Sequence, residues 1–201
     1  MTNTPAPAVP VLNIANVLTV VRILLVPFFV WFLLADNSEG GLFRWLAVAT
    51  FVVAIYTDKL DGDLARSRGL ITDFGKIADP IADKLLIGSA LILLSVLGEL
   101  WWWVTLVILG RELGVTLLRF AVIRYGVMPA SRGGKLKTVI QTVAILLFLL
   151  PLQSSLGSWA WWPAAVVMGA ALVVTVVTGV DYVLQAARLR SAAKSSPPSP
   201  A

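Results

Sequence analysis

Long apolar stretches, separated by short polar segments, make up most of the chain between its two ends. Each stretch is close to the ~20 residues that an α-helix needs to cross ~30 Å of hydrocarbon. The strands of a β-barrel would be shorter and would alternate polar with apolar residues, which these stretches do not do. The pattern therefore predicts an all-α, polytopic membrane protein with six transmembrane helices, at roughly 17–35, 42–66, 74–97, 101–123, 136–152 and 159–187.

The two ends of the chain differ in composition from this apolar middle. Residues 1–12 are rich in Pro and Ala, and residues 189–201 are rich in Ser and Pro. We therefore expect a flexible N-terminal tail and a disordered C-terminal tail. Residues 13–188 are predicted to form one membrane domain, because no repeat or linker divides them. We expect no cleavable signal peptide, since no basic segment precedes the first apolar stretch.

Basic residues are concentrated beside alternate loops of the predicted bundle. Because Lys and Arg accumulate on the cytoplasmic side of a membrane, both termini are predicted to be cytoplasmic. Trp residues near 101–103 and 159–162 fall at the opposite ends of the stretches, as in an aromatic belt. The basic residues that set this orientation are Arg66, Arg68, Lys76, Arg119, Arg124, Arg132, Lys135, Lys137, Arg188, Arg190 and Lys194.

Composition limits the chemistry that the chain can perform. Hydrophobic residues make up 58% of the sequence and charged residues 13%, which is more apolar than the ~45–50% of a soluble domain. The sequence contains no Cys and no His. This excludes disulfides, thiolate nucleophiles, Ser–His catalysis and the usual zinc ligands. The net charge of +5 is interpreted as membrane orientation rather than nucleic-acid binding.

Four aspartates interrupt the second and third apolar stretches. Asp58 and Asp61 are three residues apart, and Asp79 and Asp83 are four apart, so each pair shares a helix face. The short basic loop between the stretches makes the two helices neighbours, and the carboxylates can converge near the cytoplasmic surface. Carboxylates within a membrane span are costly unless something neutralises them.

Oxygen ligands without His or Cys favour a hard divalent cation, Mg²⁺ or Mn²⁺. Such ions take substrate phosphates as further ligands, and two of them would clamp the attacking and leaving oxygens of an in-line displacement. The pattern therefore indicates phosphoryl-type transfer with two metal ions. In the alternative interpretation, the acids pair with nearby basic residues as solvated charges, which we expect for Asp63 and Asp73. Small or cationic residues that would let a phosphate ligand approach are Gly62, Ala65, Arg66 and Gly75.

The full spacing, Asp58-x2-Asp61-Gly62-x2-Ala65-Arg66-x8-Gly75-x3-Asp79-x3-Asp83, resembles the signature of the CDP-alcohol phosphatidyltransferase family at every defining position. The resemblance implies a six-helix membrane fold, a homodimer, and an active site facing the cytoplasm of a bacterial inner membrane. It assigns metal binding to the four aspartates and the general-base role to Asp83. It also implies that Gly62, Ala65, Arg66 and Gly75 contact the nucleotide of CDP-diacylglycerol, and that CMP leaves.

Other stretches resemble the members of this family whose acceptor is glycerol 3-phosphate. The resemblance includes an Arg-Glu pair in the fourth predicted span, a Gly-Lys-x-Lys-Thr-x2-Gln motif and an Asp-Tyr pair near the C-terminus. The stretch near the N-terminus also matches, except that Ala15 stands where these members often have proline. We expect the acceptor phosphate to bind Arg111, Arg119, Lys135 and Lys137. These cations could instead set topology or touch anionic lipid. The matching residues are Asn13, Asn16, Thr19, Arg22, Pro27, Arg111, Glu112, Arg119, Gly134, Lys135, Lys137, Thr138, Gln141, Asp181 and Tyr182.

Several assignments stay open at the level of sequence. Arg22 and Asn16 could hold the nucleotide or act as interfacial anchors, and Asp181 is expected to pair with Gln141 or Gln185. The acceptor could instead be phosphatidylglycerol, as in cardiolipin synthesis, or an inositol phosphate. A divalent-cation transporter would use the same aspartates, but its site would lie near the midplane rather than beside a basic loop.

Overall fold

The computed structural model describes residues 13–68, 70, 72–122 and 132–195, and over these residues the chain is helical with no strand. The helices are α1 (Ile14–Asp36), α2 (Leu42–Ser67), α3 (Asp73–Val96), α4 (Trp102–Val122), α5 (Arg132–Leu149), α6 (Leu152–Leu156) and α7 (Trp161–Ser195), with a 3₁₀ turn at Ser158–Ala160. The all-α class predicted from the sequence is therefore confirmed for this part of the chain.

Six of these helices are long, and each coincides with one of the predicted apolar stretches. Within the described part of the chain, two helical segments, Ile14–Asp36 and Ser158–Ser191, are by length and composition long and apolar enough to cross a membrane. The turn after α5 contains the short α6, which the pattern did not predict. At the C-terminus α7 continues to Ser195, past the predicted domain end at residue 188, while the predicted N-terminal tail lies outside the described residues.

Side-chain caps fix where the first and third helices begin. The Asn13 side chain accepts a hydrogen bond from the Asn16 N–H, and the Thr72 side chain accepts one from the Gly75 N–H, at 3.0 and 3.1 Å. Both are the preferred residue types for this task. Thr72 Oγ1 also donates to Asn16 Oδ1 at 2.9 Å. The starts of α1 and α3 are therefore held side by side.

The bundle has two halves. In the first, α1 packs against α2 and α3; in the second, α4 and α5 pack against α7. Contacts of α3 with α4 and α5, and of α2 with α5, join the halves. The core is formed by apolar side chains from all six long helices, including Phe29, Leu33, Phe51, Leu86, Leu94, Ile108, Ile145, Leu149 and Met168.

A buried arginine holds together the end of the bundle where α1 finishes and α2 starts. Arg44 is 4% exposed. Its Nε donates to the Leu149 carbonyl and its Nη2 to the Phe148 carbonyl, both at 2.7 Å, and its Nη1 donates to Glu99 Oε1 at 2.9 Å. Asp36 lies 4.0 Å from the same guanidinium. The network joins α2 to the end of α5 and to the loop between α3 and α4.

Large apolar side chains face outward on every long helix. A soluble protein rarely exposes apolar surface on this scale, because such surface is favourably removed from water. The fold is therefore typical of a membrane protein. Examples, each more than half exposed, are Leu24, Tyr56, Ile77, Leu106, Val139 and Val173.

Candidate active site

Four aspartates lie at the end of the bundle where α2 finishes and α3 starts, and we call them the acidic cluster: Asp58, Asp61, Asp79 and Asp83. The Asp61 carboxylate is within electrostatic range of Asp58 and Asp79. The Asp83 carboxylate is within range of Asp58. The two pairs predicted from the helical spacing therefore lie at the same end of the bundle, within electrostatic range of each other.

Arg22 of α1 enters the cluster from the neighbouring helix. Its side chain is completely buried, and its Nη1 lies 2.6 Å from Asp58 Oδ1. Its Nη2 donates to Asp61 Oδ2. The Asp61 side chain is 4% exposed, whereas that of Asp58 is 47% exposed. Arg22 thus supplies a positive charge to the more deeply buried carboxylate of α2.

A hydroxyl from the same face of α1 reaches the α3 pair. Thr19 Oγ1 donates to Asp79 Oδ1 at 2.6 Å. This close approach of α1 to α3 depends on Gly75, where a Cβ atom would lie 3.0 Å from Asn16 Oδ1 and 3.8 Å from Asp79 Oδ2. A side chain at this position would crowd the Asn16 amide oxygen, which would have to move by a few tenths of an ångström, whereas the Asp79 carboxylate would remain at an ordinary contact distance.

The fourth aspartate faces a cavity between α3, α4 and α5. The cavity has a volume of about 240 Å³, and Asp83, Glu112 and Lys137 are among the residues that line it. Lys137 Nζ donates to Glu112 Oε1. Among the described residues, no hydrogen bond or ion pair engages the Asp83 carboxylate. Asp83 is therefore available to a ligand that enters the cavity.

Two of the four predicted phosphate-binding residues are directed toward α7. Arg111 Nε donates to the Thr175 carbonyl at 3.1 Å and its Nη2 to Thr178 Oγ1 at 2.7 Å. Arg119 Nη2 donates to the Tyr182 hydroxyl at 2.7 Å, and its guanidinium lies 4.7 Å from the centre of that ring. Of the predicted set, Lys137 is the residue found in the cavity, and the Lys135 side chain lies outside the described residues.

Arg111 also connects α7 to the cavity. Its Nη1 donates to Glu112 Oε1 at 3.0 Å, the same oxygen that accepts from Lys137. The Arg111 side chain lies over Gly179, where a Cβ atom would be 3.0 Å from Arg111 Cγ. The chain of contacts from α7 through Arg111 and Glu112 fixes the position of Lys137.

The predicted nucleotide contacts are distributed along both helices of the cluster. Gly62 and Ala65 are half-buried in α2, and Gly75 is buried against α1. The Arg66 backbone belongs to α2, and its side chain lies outside the described residues. These positions border the acidic cluster in sequence and share its end of the bundle.

The donor set of the cluster fits a divalent cation in chemistry, because four oxygen ligands carry more negative charge than Arg22 can neutralise. In the described arrangement, no three acidic side chains come close enough to share one ion. Arg22 forms ion pairs with both Asp58 and Asp61 and supplies a positive charge to this pair.

Sequence reasoning did not assign the polar face of α1 to the acidic cluster. Asn16, Thr19 and Arg22 are buried and hydrogen-bond to α2 or α3. Their regular spacing of three residues in an otherwise apolar helix was the available signal, since it places all three on one face. Asp181, by contrast, pairs within its own helix, where it accepts from Gln185 Nε2 at 2.8 Å.

Comparison with known proteins decides the family. The family model for CDP-alcohol phosphatidyltransferases matches residues 12–180. The chain belongs to the CDP-alcohol phosphatidyltransferase family.

Related members of this family have been named by their reaction. The chain is 56% identical over 176 residues to a protein of Mycobacterium tuberculosis (strain H37Rv) named probable phosphatidylglycerophosphate synthase, with 88% of this chain and 82% of the relative covered. It is 38% identical over 181 residues to the CDP-diacylglycerol–glycerol-3-phosphate 3-phosphatidyltransferase of Bacillus subtilis (strain 168), covering 85% and 93%. A protein of the same name from Rickettsia typhi is 37% identical over 172 residues, covering 85% and 94%. The residues matched by the family model include all four aspartates of the acidic cluster.

The pairing of Arg22 with Asp61 makes a prediction for the phosphatidyltransferase without metal. In a chelating buffer, Arg22→Met should lower the free energy of unfolding by about 3–5 kcal/mol, because a buried carboxylate loses its counter-charge. Adding Asp61→Asn to the same chain should recover part of that loss.

The measurement is thermal or denaturant unfolding of the detergent-solubilised protein in a double-mutant cycle. Arg188→Met, which removes an exposed arginine from α7, is the matched control and should change stability little. Strictly additive effects of Arg22→Met and Asp61→Asn would contradict the assignment of Arg22 as the counter-ion.

Proposed function

We propose that the chain transfers the phosphatidyl group from CDP-diacylglycerol to sn-glycerol 3-phosphate, giving phosphatidylglycerophosphate and CMP. The names of its relatives support this reaction. One structural observation carries the proposal. Asp83 of the acidic cluster and Lys137 of α5 line the same cavity. A carboxylate suits a reacting hydroxyl, and an ammonium group suits a phosphate, so the two together fit a phosphorylated alcohol.

We infer that all six long helices cross a bacterial inner membrane, with both termini and the active site on the cytoplasmic side. The outward-facing apolar side chains on each of these helices support insertion. The basic residues near the ends of α2, α4 and α7 support the orientation. A homodimer is proposed on the family resemblance.

The acidic cluster is proposed to hold Mg²⁺ or Mn²⁺, two ions in all, with Asp58, Asp61, Asp79 and Asp83 as ligands. The excess of carboxylates over cationic partners in the cluster supports this assignment. When bound, the cations would neutralise phosphate oxygens and stabilise the charge that develops during transfer.

The nucleotide is proposed to lie along Gly62, Ala65, Arg66 and Gly75. Small residues allow a phosphate or ribose to approach the helix backbone, and an arginine offers a fork for phosphate oxygens. Within the described part of the chain, the buried Nε of Arg22 has no hydrogen-bond partner. A buried cationic donor without a partner supports an anionic ligand next to the cluster.

The acceptor is proposed to enter the cavity with its phosphate at Lys137 and its terminal hydroxyl at Asp83. The Asp83 carboxylate takes the proton from the hydroxyl oxygen. That oxygen forms a bond to the β-phosphorus of CDP-diacylglycerol, the bond from this phosphorus to the bridging oxygen breaks, and CMP leaves with the bridging oxygen. Lys135, Arg111 and Arg119 complete the proposed cationic surroundings, and Arg111 acts by holding Glu112 beside Lys137.

An acceptor panel tests the reaction most simply. Purified protein with Mg²⁺ and CDP-diacylglycerol should release CMP with glycerol 3-phosphate, and should do so far more slowly with phosphatidylglycerol or inositol phosphate. CMP release and the lipid product are measured together. The proposal would be overturned if glycerol 3-phosphate did not react while phosphatidylglycerol or inositol phosphate did. Metal flux into proteoliposomes in the absence of nucleotide would favour a transporter.

Asp83→Asn should lower kcat by about 10²–10⁴-fold, because the amide cannot take the hydroxyl proton. The matched control is Asp63→Asn, which changes an exposed aspartate on α2 and should leave kcat within about twofold. Steady-state kinetics with saturating glycerol 3-phosphate gives both values. Near-normal turnover by Asp83→Asn would remove Asp83 from the role of base.

A further inference from the structure

The cavity between α3, α4 and α5 contains a polar group that the proposed reaction has not used. Gln141 lines this cavity, and the residue is 3% exposed. Its Oε1 atom is buried and has no hydrogen-bond partner in the part of the chain that the structure describes. A buried amide oxygen without a partner is costly and uncommon in a folded protein.

None of the described residues around Gln141 supplies the missing partner of its Oε1 atom. Asp181, which the sequence suggested as one, pairs with Gln185 instead. Much of the nearby cavity wall is apolar, with Ile87, Leu109 and Leu113 among its residues. The Gln141 side chain lies at the wall of this cavity, and rotation about its terminal bond, which has a broad torsional preference, would turn the amide toward a ligand bound there.

The position of Gln141 relative to Lys137 indicates which part of a ligand it would meet. The two residues are four apart in α5, so they lie on one face, with Cβ atoms about 5–6 Å apart. Both line the cavity together with Asp83. A small alcohol with its phosphate at Lys137 and its reacting hydroxyl at Asp83 would bring the middle of its carbon chain near Gln141.

The cavity has room for such a molecule. Its volume is about 240 Å³, whereas one water molecule needs only about 10–15 Å³ of such volume. The polar residues Asp83, Glu112, Lys137 and Gln141 can hold a compact polyol phosphate.

We propose that the Gln141 side-chain amide binds the central (C2) hydroxyl of the acceptor and selects a vicinal diol phosphate over an acceptor without that hydroxyl. This inference rests on the proposed function. A site that hydrogen-bonds a substrate hydroxyl discriminates strongly against the analogue that lacks it, because the protein group is then left buried and unpaired. Gln141 contacts the substrate away from the reacting atoms and determines specificity.

The experiment compares two acceptors, glycerol 3-phosphate and 3-hydroxypropyl phosphate, which lacks only the central hydroxyl. Their kcat/KM values are measured with the full-length protein, Mg²⁺ and CDP-diacylglycerol. The unaltered protein should prefer glycerol 3-phosphate by about 10- to 100-fold. In Gln141→Leu, kcat/KM for glycerol 3-phosphate should fall by a similar factor, whereas kcat/KM for 3-hydroxypropyl phosphate should change by less than about threefold. The variant should therefore lose most of the preference for glycerol 3-phosphate.

Gln185→Leu is the matched control, because it removes a glutamine whose amide bonds to Asp181 on α7. It should keep the full preference between the two acceptors. Gln141→Asn, which keeps an amide in a shorter side chain, should retain part of the preference and provides a second variant if the leucine variant folds poorly.

The outcomes separate this inference from the function on which it rests. In one outcome, the unaltered protein turns over glycerol 3-phosphate, but both Gln141 variants lose kcat/KM equally on the two acceptors. This result would overturn the role of Gln141 and leave the proposed function intact. An unchanged preference in both variants would do the same. Failure of the unaltered protein to use glycerol 3-phosphate, while another acceptor reacts, would overturn the proposed function and this inference with it.

Discussion

Carboxylates buried in an apolar bundle require compensating positive charge, and this requirement organises the active site. An unpaired carboxylate in a low-dielectric interior is strongly destabilised. The fold places four carboxylates at one end of α2 and α3, and of these Asp61 is almost fully buried whereas Asp58 is 47% exposed. This placement explains the polar face of α1. Arg22 supplies a positive charge to Asp61, and Thr19 donates a hydrogen bond to Asp79.

Two buried arginines of this bundle differ in how completely their hydrogen-bond donors are satisfied. Arg44 donates to two backbone carbonyls and to Glu99, and its network joins three parts of the fold. Arg22 has a buried Nε without a partner in the described residues and faces more carboxylates than it can neutralise. The network of Arg44 stabilises the end of the bundle where α1 finishes, whereas the buried Nε of Arg22 supports the proposed binding of an anionic ligand.

The sequence was sufficient for the helices and for the acidic cluster. Long apolar stretches, two of them interrupted by the four aspartates, determine the six long helices, and the spacing of Asp58 to Asp61 and of Asp79 to Asp83 determines which carboxylates share a face. It was not sufficient for contacts between distant helices. The pairing of Arg111 with α7, and of Lys137 with Glu112, depends on how α4, α5 and α7 pack, which no local pattern specifies.

Gly75 shows the same limit at a single position. The family resemblance assigns it to the nucleotide, and the structure shows a second demand, since a Cβ atom there would crowd Asn16 of α1. Both demands favour glycine, so the residue type alone cannot separate them. The contact of α1 with the cluster depends on how α1 packs against α2 and α3, which the local sequence pattern does not specify.

The central claim is that the acidic cluster binds divalent cations, and the most direct measurement is anomalous diffraction from crystals of the full-length protein grown with Mn²⁺. The account predicts an anomalous peak between α2 and α3, coordinated by carboxylates of the cluster, with Arg22 displaced from at least one of its two aspartates. A map at saturating Mn²⁺ with no peak at the cluster, and with Arg22 still paired to Asp58 and Asp61, would contradict it.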